Sequence, residues 1–78
     1  MEKPLRTPKG TLLADPPEGC LPPGTLVVVQ GATGLDEMCE GREGTLLGYS
    51  VPFAYAVIAW QGREILVRRE FVFLRGEP

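Results

Sequence analysis

The chain has no histidine and no asparagine, one serine (Ser50) and one tryptophan (Trp60). Without histidine it lacks the side chain that most often serves as a general base near neutral pH, and the commonest zinc ligand. Only two cysteines occur, Cys20 and Cys39. A zinc site built on them would have to draw its remaining ligands from carboxylates, and a cysteine nucleophile would have no imidazole to activate it. No Gly-Lys-Ser/Thr triplet is present, which excludes a P-loop. No apolar run reaches membrane-spanning length, and the start MEKPLRTPKG has no apolar core of a secretory signal. These absences predict a cytoplasmic protein with two thiols, whose redox state spacing alone leaves open. A basic excess is also missing. Eight Lys and Arg face ten Asp and Glu, for a net charge of −2, so the overall electrostatic footprint of a dedicated nucleic-acid binder is not there. The missing asparagine and abundant proline fit a thermophilic origin as well as a GC-rich codon bias.

What is there is one small globular domain. With 78 residues the chain has room for a single economical core, and 44% apolar with 23% charged residues is a folding rather than a disordered balance. Six of the eight prolines fall within the first 24 residues. Proline fixes φ and donates no hydrogen bond, so residues 1–22 are predicted to be an extended or turning arm, with Thr11-Leu12-Leu13 able to form a brief strand or dock on the body. From Pro23 onward the pattern is that of strands, at Leu26 to Gln30, Thr45 to Val51, Tyr55 to Trp60 and Arg63 to Arg69. Pro52-Phe53 breaks the second. A loop spans Gly31 to Glu43, with room for one helical turn near Leu35 to Arg42. Glu70 to Leu74 has room for a single 3₁₀ turn and a short closing strand.

Gln61-Gly62 is a two-residue hairpin signal. The register it dictates sets Ile58 opposite Ile65, Ala56 opposite Val67 and Trp60 opposite Arg63. That face is the more apolar and is assigned to the core, with Trp60 closing one end and Arg63 within reach of its ring. The other face carries Tyr55, Val57, Ala59, Glu64, Leu66 and Arg68, and is left for solvent or a partner.

The stretch LVVVQGATG, Leu26 to Gly34, has the look of a strand running into a phosphate-binding glycine turn. A dinucleotide site needs a third glycine and a helix directly after the turn. Here Glu37 stands at the third place, Asp36 and Glu37 would face a phosphate, and too few residues follow for a βαβ crossover. Joined to the next glycines, the stretch reads differently. Gly24, then Val27 and Val29 at alternating positions, then Gly31, Gly41, Gly44 and Leu46 follow in order through PGTLVVVQG and EGREGTLLGY. The two valines point inward together, and the glycines allow positive φ at the turns and a close backbone approach where the second strand begins.

This series, over about Pro23 to Tyr49, resembles the KOW-type motif of small SH3-like barrels, and the ending VRREFVFL is similar to the way such barrels finish. The loop from Gly31 to Gly41 is longer than the usual motif and acidic where that of KOW domains in ribosomal and elongation proteins is often basic. The resemblance implies an all-β fold: an SH3-like, five-stranded small barrel over residues 23–78, preceded by the proline-rich arm of residues 1–22. Closure of the sheet would hide its edges.

For function, the densest carboxylate group is Asp36, Glu37, Glu40 and Glu43. It offers ligands to a hard cation but also suits a solvated loop, and no metal or cofactor is expected. Catalysis is not expected either. Two binding readings remain. The first is a protein-interaction module using Tyr49, Phe53 and Tyr55, with Phe53 at the strand break as an exposed anchor; self-association through a strand edge is a variant. The second is RNA binding through Arg42, Arg63, Arg68, Arg69 and Arg75, in keeping with the KOW-like motif. In a regular strand Arg68 and Arg69 would point to opposite faces, so that one patch could not use both.

Overall fold

The computed structural model describes residues 5–51 and 53–75; the start of the arm, Pro52 and the last residues lie outside them. The protein is all-β. Its strands are β1 (Leu5–Arg6), β2 (Leu12–Ala14), β3 (Leu26–Val29), β4 (Glu43–Ser50), β5 (Ala56–Trp60), β6 (Arg63–Val67) and β7 (Val72–Leu74). Two 3₁₀ turns, Gly34–Cys39 and Arg69–Phe71, lie in the β3–β4 loop and between β6 and β7. The turn anticipated in the acidic loop and the 3₁₀ turn with closing strand anticipated after Arg69 are both present.

All strands belong to one antiparallel sheet. β4 is its spine, pairing β5 along one edge and, along the other, β3 and then β2. β6 adds to β5 and β7 adds to β3. The sheet does not close into a barrel, contrary to the expectation from sequence. β6 pairs only β5, and after the Arg69–Phe71 turn β7 pairs β3, so no ladder of hydrogen bonds joins β6 to β7 and the sheet stays open. β6 and β7 are therefore opposite edges.

The proline-rich segment is more than an arm. β1 and β2 form a hairpin, with Leu13 paired to Ser50 and Ala14 to Tyr49. The hairpin also fastens to β6. The Glu64 carboxylate accepts bonds from Thr7 Oγ1 at 2.6 Å, Thr11 Oγ1 at 3.1 Å and the Lys9 N–H at 3.1 Å. Leu13 lies over Gly48, where a Cβ would stand only 3.0 Å from its Cδ1. The face of β5 and β6 left open by the sequence is thus partly covered by the chain itself, and Val57 is fully buried.

The predicted β5–β6 register is observed pair for pair: Ala56 with Val67, Ile58 with Ile65 and Trp60 with Arg63. Gln61 and Gly62 both have positive φ, +48° and +77°, as a two-residue turn matching the strand twist requires. The core gathers Val27, Val29, Leu46, Tyr49, Ala56, Ile58, Val67 and Phe71. A Cβ at Gly44 would collide with the carbonyl oxygen of Ala59, which is the close backbone approach that glycine there permits. At Trp60 the cation differs from the expected one. Arg42, arriving from the acidic loop, sits 4.1 Å from the ring centroid, while Arg63 is exposed at the start of β6.

Candidate partner-binding cleft

Two short stretches build a cleft on the surface. The β4–β5 turn contributes Phe53, Ala54 and Tyr55, and the end of β6 with the following 3₁₀ turn contributes Arg68, Arg69 and Glu70, around a cavity of about 410 Å³. The turn is held by its own hydrogen bonds. The Ser50 N–H donates to Tyr55 O and the Ala54 N–H to Ser50 O, each at 2.8 Å, and the Tyr55 N–H reaches Ser50 Oγ at 3.2 Å. Ala54 is thereby held at φ +56°, the left-handed region that a residue with a Cβ rarely adopts. This constraint projects Phe53 outward, 69% exposed, with its ring 5.8 Å from that of Tyr55 at 51°. The opposite wall is anchored from beneath. Phe71 is buried, and its N–H donates to Arg68 O at 3.0 Å.

A second depression of about 320 Å³, lined by Asp36, Tyr55, Leu66 and Arg68, continues from the first across Tyr55 and Arg68. Asp36 fixes the ridge between them. Its Oδ2 lies 3.5 Å from Arg68 Nε and accepts the Arg68 N–H at 3.4 Å. Arg69 leans the other way, with Nη1 3.8 Å from Cys20 Sγ, beside a smaller cavity that includes Leu21 and Tyr49.

The aromatic trio named from the sequence therefore divides. Phe53 and Tyr55 share the cleft, while Tyr49 is buried in the core and donates to Leu21 O at 2.7 Å. Burial, reinforced by the Cys20 thiol nearby, raises the Tyr49 phenol above its ordinary value and keeps it neutral. The cause of the division is a bulge. β4 pairs Leu46 with Ile58 but Gly48 with Val57, so Leu47 is an extra residue and the inward–outward alternation reverses after it. With Leu46 inward, regular alternation would have turned Tyr49 outward.

The arginines also divide. Arg68 and Arg69 both line the cleft, since β6 ends at Val67 and the 3₁₀ turn begins at Arg69, but their guanidinium groups part, Arg68 toward Asp36 and Arg69 toward Cys20. Arg42 is held on Trp60, Arg63 stands at the β5–β6 hairpin, and Arg75 Nε pairs with Glu43 at 3.2 Å. They form no single patch with the cleft.

The acidic residues serve the fold. Asp36 holds Arg68, Glu43 holds Arg75, and the Glu40 carboxylate accepts the Gly31 and Ala32 N–H groups at 3.2 and 2.7 Å. Among the described residues no group of three His, Cys, Asp or Glu side chains could hold a metal ion. Cys20 and Cys39 are both free thiols packed against the core. No described helix is long and apolar enough to cross a membrane. The cleft thus presents aromatic area, two guanidinium groups and one carboxylate, a set suited to contact and orientation. No protein-family model, no curated protein and no solved structure matches this chain.

Proposed function

We propose that this chain is a non-catalytic interaction module with an SH3-like fold, and that it docks another protein in the cleft between Phe53, Tyr55, Arg68 and Arg69. The fold reading is supported by the strand order β6-β5-β4-β3-β7 and by the 3₁₀ turn before the last strand. The docking reading rests above all on Phe53. A large aromatic ring held outward by a strained, hydrogen-bonded turn costs solvation and backbone energy in the free molecule, and binding recovers it. Aromatic and arginine side chains are the residue types that dominate interface energetics. The protein acts in the cytoplasm on this reading, and without a cofactor.

RNA is the runner-up, favoured by one observation: two arginines share a cleft with two aromatic rings, the components of a base-stacking platform. Affinity capture with the wild-type chain, Phe53→Ala and Arg69→Glu, each with and without nuclease, separates the two. A stoichiometric protein that survives nuclease and is lost with Phe53→Ala is the expected result. Nucleic acid in the eluate, released steeply by salt and by Arg69→Glu, would replace the protein reading with the RNA one. Capture unaffected by either substitution would remove the cleft from consideration.

A further inference from the structure

Among the described residues three strands, β1, β6 and β7, have only one neighbour, and they differ in what they offer; β1 is only two residues long. In a two-residue hairpin the flanking residues form a hydrogen-bonded pair, so Trp60/Arg63, Ile58/Ile65 and Ala56/Val67 are the bonded pairs of β5 and β6. The main-chain N–H and C=O groups of Glu64 and Leu66, which lie between them, therefore face away from β5. β6 pairs with no other strand, and no main-chain partner for these groups occurs among the described residues. β7 offers less. It has three residues against five in β6, and its Val72 N–H is already donated to Arg69 O.

We propose that the β6 edge is a self-association surface, on which a second copy of this chain pairs β6 against β6 in antiparallel register about a two-fold axis at Ile65. In that register Glu64 faces Leu66 of the second copy, and the two exchange both main-chain hydrogen bonds; the mirror pair does the same. Ile65, half-buried in the single copy, meets its own counterpart at a non-hydrogen-bonded position, where side chains come closest. Arg63 faces Val67 of the second copy and no like charges stand directly opposed; Glu64 is diagonal both to Arg68 and to Glu64 of the second copy. Leu66, 45% exposed, gains an aliphatic contact with the Glu64 stem. The Thr7, Lys9 and Thr11 bonds hold the Glu64 carboxylate toward the N-terminal hairpin. Pairing a like edge is isologous and closes at two copies, whereas β6 against β7 would propagate. The edge adjoins the second depression through Leu66 and Arg68, but Phe53 lies outside it, so Phe53→Ala should leave pairing of the two copies intact.

Sedimentation equilibrium of the full chain from about 10 μM to about 1 mM tests it, together with amide exchange at both ends of that range. The expected result is a rise from 8.5 kDa toward twice that mass. The Glu64 and Leu66 amides should slow about tenfold at the high end. Leu66→Pro removes an N–H that has no partner among the described residues, and should hold the protein at one copy. A single-copy mass throughout overturns the proposal. So does a doubled mass in which the Glu64 and Leu66 amides exchange as fast as in dilute solution. If Leu66→Pro does not fold, the wild-type amides decide alone.

Discussion

The N-terminal hairpin and the β4–β5 turn are two surface elements with opposite designs. In the hairpin, polar groups are turned inward to a partner in the same chain: one carboxylate takes three donors, and Thr7 is buried. In the turn, hydrogen bonds are spent on the backbone so that an aromatic ring can stay in water. One element seals Val57 and the bulged part of β4, and the other stores exposed area. The difference teaches where on this surface to look for function. The informative region is the one whose local order costs energy and is not repaid within the molecule.

Substitutions can break this contrast in descending order of effect. Gly44→Ala forces β4 and β5 apart at the Ala59 carbonyl, in the sheet that carries both elements, and should cost about 3 kcal/mol or more of stability in denaturant titration. Val57→Ala, beneath the hairpin, should cost about 2 kcal/mol by the same measurement. Phe53→Ala, in the turn, should leave stability within about 0.5 kcal/mol of wild type while abolishing capture of the partner. A loss as large as that of Val57→Ala would mean that the ring is structural and the contrast false. Ala54→Gly relieves the positive φ and should stabilise by about 1 kcal/mol, sharpening the view that the turn is strained.

The hairpin also carries a pH signature. Hydrogen bonding from Thr7, with the Lys9 N–H, Thr11 and the Lys9 charge adding to it, lowers the Glu64 carboxyl below its ordinary value of 4.5. Its contribution is therefore fully present above 4.5 and fades as the pH falls through the depressed value. Thermal melts of wild type and Glu64→Gln should differ at neutral pH and converge on acidification. Parallel melts at all pH values would show that the carboxylate does not fasten the hairpin.

Much of the sheet was legible in the sequence because its signals are local. Gln61-Gly62 sets a register, alternating Val27 and Val29 set a face, and Gly44 marks a close approach. What was not legible depends on distant partners or on a shift of parity. Glu64 meets threonines more than fifty positions away, and nothing around it announces them. Arg42 reaches Trp60 only because the acidic loop folds back. The bulge at Leu47 reverses alternation, with the neighbouring Gly48 as its one local sign, and so hid Tyr49 in the core. The same holds for Arg68 and Arg69, which border one cleft through the end of β6 and the 3₁₀ turn while their side chains part toward Asp36 and Cys20. The cleft was legible as two lists of residues, but not as one place.

The stacked pair of Arg42 and Trp60 gives the chain a built-in optical reporter. Trp60 is the only tryptophan, and the guanidinium 4.1 Å above its ring arrives from the far end of the acidic loop. Indole fluorescence from this protein therefore registers a single junction, the seating of the loop on the β5–β6 hairpin. A change in its emission wavelength would signal that the loop has lifted even while the circular dichroism of the sheet stays constant.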